Sequence, residues 1–79
     1  MPLPAPHVLA EERAELDRID RAIVDLLRER RDASARLDRL RTEARIGPRS
    51  LAEENETLGR YSSVLGRTGT RIAMLLLLA

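Results

Sequence analysis

The sequence predicts an all-α protein built from one long helix and two shorter ones. Three observations carry that expectation. From Leu9 to about Arg45 there is neither glycine nor proline, and the stretch is rich in Ala, Leu, Glu and Arg, all good helix formers. Apolar residues recur there by threes and fours, the helical spacing, and no segment shows the strict alternation of a strand. The chain has only 79 residues, and a chain of that size hides roughly 60% of its unfolded surface, which makes helix pairing its simplest route to a core.

The N-terminal MPLPAPHV has three prolines in its first six residues and neither a basic start nor a long apolar run, so residues 1–7 read as a flexible Pro-rich leader. The rest, within 1–79, reads as a single helical domain. The first helix, from Leu9, has ~36 residues and extends roughly 54 Å at the usual rise, about twice the width of a compact domain of this length. Most of it must then pack against another chain, so a homodimer is expected. Asp17 and Arg21 sit one turn apart, as on a solvated face. Ile46-Gly47-Pro48-Arg49 should end this helix, with Gly47 free to take left-handed geometry and Pro48 disfavouring helix in the residue before it.

Ser50-Leu51-Ala52-Glu53 fits the capping-box pattern and opens a second helix to about Leu65, which Gly66 closes. Thr68 or Thr70 then caps a third helix from about Arg71 onward. The apolar run Ile72 to Ala79 falls far short of the ~20 residues that span a bilayer. It reads as a buried helix end, and the expected setting is the cytoplasm, with no membrane partner.

Composition narrows the function classes. The 14 basic residues, all arginine, nearly balance 13 acidic ones for a net charge of +1, which argues against nucleic-acid binding. With no cysteine and a single histidine, His7, no metal centre is expected, and no motif asks for a cofactor. What remains is the charge inside the long helix. Stepping by threes and fours from Leu9 gives Leu9, Arg13, Leu16, Asp20, Ile23, Leu27, Arg30, Ser34, Leu37, Arg41 and Ala44, so an otherwise apolar stripe is repeatedly cationic. An unpaired guanidinium out of water costs several kcal/mol, and these positions call for an acid, a water-lined cavity or a bound anion.

Arg30 and Arg41 are three turns apart, with Cα atoms roughly 16 Å from each other, and their extended side chains could converge on one small dianion. Arg13 lies roughly 25 Å before Arg30, so it would have to be supplied by an antiparallel partner chain. The plainer alternative is that these arginines pair with Asp20, Asp38, Glu54 or other acids and set the register of a helical dimer.

The run Arg13-Ala-Glu-Leu16-Asp17-Arg-Ile19-Asp20, then Ile23-Val-Asp-Leu26-Leu27-Arg-Glu-Arg30, then Arg41, strongly resembles the first helix of the all-helical chorismate mutases, the AroQ class. Downstream, Glu54, Arg60-Tyr61-Ser62, Leu65-Gly66 and Ile72 to Leu77 look most like the short stand-alone actinobacterial branch. The likeness covers about Leu9 to Leu78. It implies an intertwined homodimer that converts chorismate to prephenate, with no cofactor or metal.

By the same resemblance, Arg30 and a partner's Arg13 hold the dianionic substrate, Arg49 in the connecting loop assists, Arg41 faces the ether oxygen of the breaking bond, and Glu54 accepts the ring hydroxyl. Glu53 stands where the family usually has an arginine. Its charge opposes a dianion, so Glu53→Arg is expected to raise kcat/KM. Substrates of the same charge, 4-amino-4-deoxychorismate and isochorismate, would need the same arginines. A non-catalytic helical dimer regulating a shikimate-pathway enzyme is the alternative from another class; short actinobacterial mutases are partners of DAHP synthase, which makes that enzyme a candidate partner here.

Overall fold

The computed structural model describes residues 1–78 and contains two helices, α1 (Pro6–Glu43) and α2 (Leu51–Leu78), with no strand among the described residues. The chain divides into two units, Met1–Arg36 and the part from Leu37 onward.

α1 starts three residues earlier than expected, taking in Pro6 and His7. The reason is local. Proline is well suited to the first helical position, where its missing N–H would have had no partner, and the Ala5 carbonyl accepts from Val8 N–H at 3.0 Å and Leu9 N–H at 3.3 Å. Within the first unit the helix carries its apolar residues in the open. Leu9, Leu16, Ile19, Ile23, Val24, Leu26 and Leu27 are all between 39% and 62% exposed.

In the second unit, α1 ends in a closed C-terminal turn. Ile46 N–H donates to the Arg41 carbonyl at 2.9 Å and Arg45 N–H to the Thr42 carbonyl at 3.1 Å, the two bonds of a Schellman motif. The motif needs one left-handed residue, and that residue is Arg45, at φ 57°, rather than Gly47. This corrects the expectation for the loop: the chain reverses direction one residue after Ala44, before it reaches Gly47. α2 is then opened by Ser50, whose hydroxyl accepts from Glu53 N–H at 3.2 Å and whose carbonyl accepts from Glu54 N–H at 3.1 Å.

α2 is broken at Gly66, as expected: Gly66 is non-helical at φ 62°, ψ −139° and separates two helical stretches, residues 51–65 and 67–78. That geometry is open to glycine and strained for any other residue. What differs is the start of the later stretch, which resumes directly after the kink rather than at about Arg71. Neither threonine caps a new helix as expected; the Thr70 hydroxyl bonds back to the Gly66 carbonyl at 3.4 Å, and no partner is found for that of Thr68 among the described residues. The buried residues of the described chain, Gly69 and Ala73, both follow the kink. Gly69 is needed there because a Cβ would run into the carbonyl oxygen of Tyr61 and lie 2.9 Å from the Leu65 Cβ. No helix among the described residues is long and apolar enough to cross a membrane.

Candidate functional site

The end of α1, the connecting loop and the start of α2 enclose a pocket of about 390 Å³, lined by Asp38, Arg41, Thr42, Ile46, Pro48, Arg49 and Glu54. That volume falls in the range of about 300–1,000 Å³ typical of small-molecule sites. The helix ends place two of the charged lining residues. Arg41 occupies the last turn of α1, where a cation complements the negative end of the helix dipole, and Glu54 occupies the first turn of α2, where an anion complements the positive end.

Arg41 is largely covered, its side chain 17% exposed, and its Nη2 donates to Glu53 Oε2 at 2.5 Å. Arg49 is half-buried and its Nη2 donates to the Leu77 carbonyl at 3.1 Å. Leu77 lies in the last turn of α2, whose carbonyls have no partner within the helix, so Arg49 ties the loop to that helix end. Glu54 is half-buried and makes no ion pair among the described residues. Thr42 is the one hydroxyl on the lining, and it donates to the Asp38 carbonyl at 3.0 Å.

Two guanidinium groups and two carboxylates therefore line the pocket, a formally neutral set. It offers hydrogen-bond donors on one pair of side chains and acceptors on the other. The chemistry open to it is holding and polarising a polar molecule.

Of the residues singled out from the sequence, Arg41, Arg49 and Glu54 share this pocket. Arg13 and Arg30 belong to the first unit. Arg13 is exposed and Arg30 half-buried, and among the described residues neither has a carboxylate within ion-pair distance. Among the described residues the one stripe arginine paired with an acid is Arg41, with Glu53 and not with Asp38 or Glu54.

Sequence reasoning missed Thr42 as a lining residue and missed the partner of Glu53. The helical register held the first signal, since Asp38, Arg41 and Thr42 fall within one turn and a residue of each other. Nothing in the sequence announced the second. Glu53 itself is absent from the lining, half-exposed at 48%, and bonded to Arg41. No family model matches the chain, and neither a curated protein nor a solved structure is significantly similar to it.

Proposed function

We propose that this chain is a cytoplasmic chorismate mutase of the all-helical type, working as an intertwined homodimer on the dianion chorismate and needing no cofactor. The observation that carries the reading is the gathering of Arg41, Arg49 and Glu54 on one pocket of ligand size, beside a sequence pattern in α1 that resembles the same family.

The reaction suits these groups. An intramolecular Claisen rearrangement needs no nucleophile and no proton shuttle. It needs the substrate held in a reactive chair and positive charge where the ether oxygen becomes negative, which is positioning plus electrostatic preorganisation. Arg41 supplies that charge, Arg49 a carboxylate contact, and Glu54 an acceptor for the ring hydroxyl. A formally neutral lining does not hold a dianion well, so the proposal requires further cations. Arg30 and the Arg13 of a second copy provide them.

The same neutrality favours one other reading, a helical dimer that is inactive alone and binds a shikimate-pathway enzyme such as DAHP synthase. Following the loss of chorismate's ultraviolet absorbance with purified protein, with and without DAHP synthase, separates the two. Parallel runs with 4-amino-4-deoxychorismate and isochorismate settle the substrate. Turnover of chorismate by the chain alone is the expected result; no consumption above the uncatalysed rate, with or without the second enzyme, sinks the mutase reading.

A further inference from the structure

The first turn of α2 breaks a local rule. In a capping box the third helical residue sends its carboxylate back to the N–H of the cap residue, while the cap's hydroxyl accepts from the third residue's N–H. Only half of that exchange is present. Ser50 Oγ accepts from Glu53 N–H, but the Glu53 carboxylate reaches twelve residues back along the chain to Arg41 Nη2. A side chain diverted from its local partner to a charged group on a pocket wall is the kind of departure found where function overrides local preference.

We infer that Glu53 is a positioning residue that orients the Arg41 guanidinium toward the pocket; this rests on the mutase reading above. The guanidinium is a planar fork of five N–H donors. Glu53, which is not on the pocket lining, is bonded at one terminal nitrogen; that bond restrains the rotation of the group, and the other Arg41 N–H donors have no partner among the described residues. Glu53 is itself anchored, since its backbone N–H is held by Ser50 and its carbonyl accepts from the Thr57 hydroxyl at 3.2 Å.

This reverses the expectation for Glu53→Arg. That substitution removes the orienting carboxylate and places a like charge beside Arg41, so it lowers kcat/KM.

The clamp has a kinetic signature that a mere structural staple lacks. Removing the carboxylate makes the pocket more positive, which strengthens ground-state binding of a dianion, while a loosened Arg41 meets the developing charge less well. Glu53→Ala should therefore lower kcat on the order of ten-fold while KM stays level or falls. Glu53→Gln, which keeps an acceptor oxygen, should recover part of kcat. Ser50→Ala, which removes the cap and with it one anchor of Glu53, should lower the melting temperature and reduce kcat less than Glu53→Ala does.

The independent readout is nitrogen NMR of arginine-labelled protein. Hindered, resolved Arg41 Nη resonances in the parent that average in Glu53→Ala support the inference even if the parent does not turn over chorismate, in which case the functional reading alone fails. Resonances already averaged in the parent, an unchanged kcat in Glu53→Ala, a loss confined to KM, or a rise in kcat/KM would each overturn it. Should Glu53→Ala not fold, Glu53→Gln takes its place in the kinetic and NMR comparisons, with smaller expected changes in the same direction.

Discussion

Arg41 is 17% exposed while its partner Glu53 is 48% exposed, and that difference decides what losing Arg41 does. Glu53 without Arg41 is still reached by water, so Arg41→Ala should shift folding stability by no more than about 1 kcal/mol, as for other solvent-screened pairs. Its effect on the transition state should be larger, about 2.7–4 kcal/mol if the guanidinium meets the ether oxygen as an oxyanion donor would. Thermal melts and kcat on the same preparation check both halves, and a large drop in melting temperature with activity kept would return Arg41 to a register-setting role. A pair on the first unit behaves more simply. Arg18 donates to Glu15 through Nε at 3.0 Å, and this bond holds the Glu15 carboxyl below the usual glutamate value and raises Arg18. Because the folded value is the lower one, the pair's contribution is complete above the ordinary carboxylate range and is lost as pH falls through the depressed value. A carbon NMR titration of Glu15 should show its midpoint moving up in Arg18→Ala.

At the scale of elements, the long helix was legible because no residue from Leu9 to Arg45 opposes it, and the cap at Ser50 because its side chain and position match a local rule. The misses at Arg45 and after Gly66 are matters of backbone hydrogen bonding and close packing that residue preferences alone do not register. The left-handed residue sits at Arg45, although Gly47 is two positions away, because the Schellman bonds close around Arg41 and Thr42. Arginine bears a steric cost in that geometry, so Arg45→Gly should stabilise the protein by about 0.5–1 kcal/mol despite glycine's greater freedom when unfolded. A denaturant titration with no gain would mean that the Arg45 side chain makes a compensating contact. After Gly66 helix resumes at once, and Gly69 then lies so close to Tyr61 that a Cβ would run into its carbonyl oxygen. Gly69→Ala should cost about 1–3 kcal/mol, the usual range for overpacking, and an unchanged melt would mean that the two segments move apart without cost. Of the candidate site, the spacing picked out Arg41 and the resemblance Arg49 and Glu54, which share the pocket, while Arg13 and Arg30 lie in the first unit; Glu53 was read from its cap position and its charge, because its partner lies twelve residues away and the capping pattern points elsewhere.

At the scale of the whole molecule, the exposed apolar side chains of α1 and the neutral pocket point to the same remedy. The helix leaves Leu16, Ile23, Val24, Leu26 and Leu40 between 48% and 62% exposed, a load that a stable chain covers with another surface. If that surface is a second copy, sedimentation at micromolar concentration should give twice the mass of the 8.9 kDa chain. Complementation then tests whether the second copy also completes the site. Arg13→Ala and Arg41→Ala should each be nearly inactive alone. In a mixed dimer, one site has its own Arg41 and receives an intact Arg13, while the other lacks both. Unfolding and refolding the two variants together at equal concentration gives half mixed dimers by chance, each with one working site in two, so the mixture should recover roughly a quarter of the parent's activity. Recovery at that level requires Arg13 to act across the dimer. If the mixture stays as inactive as its components while mixed dimers demonstrably form, Arg13 serves the site of its own chain, and the positive charge that the pocket lacks has to come from elsewhere.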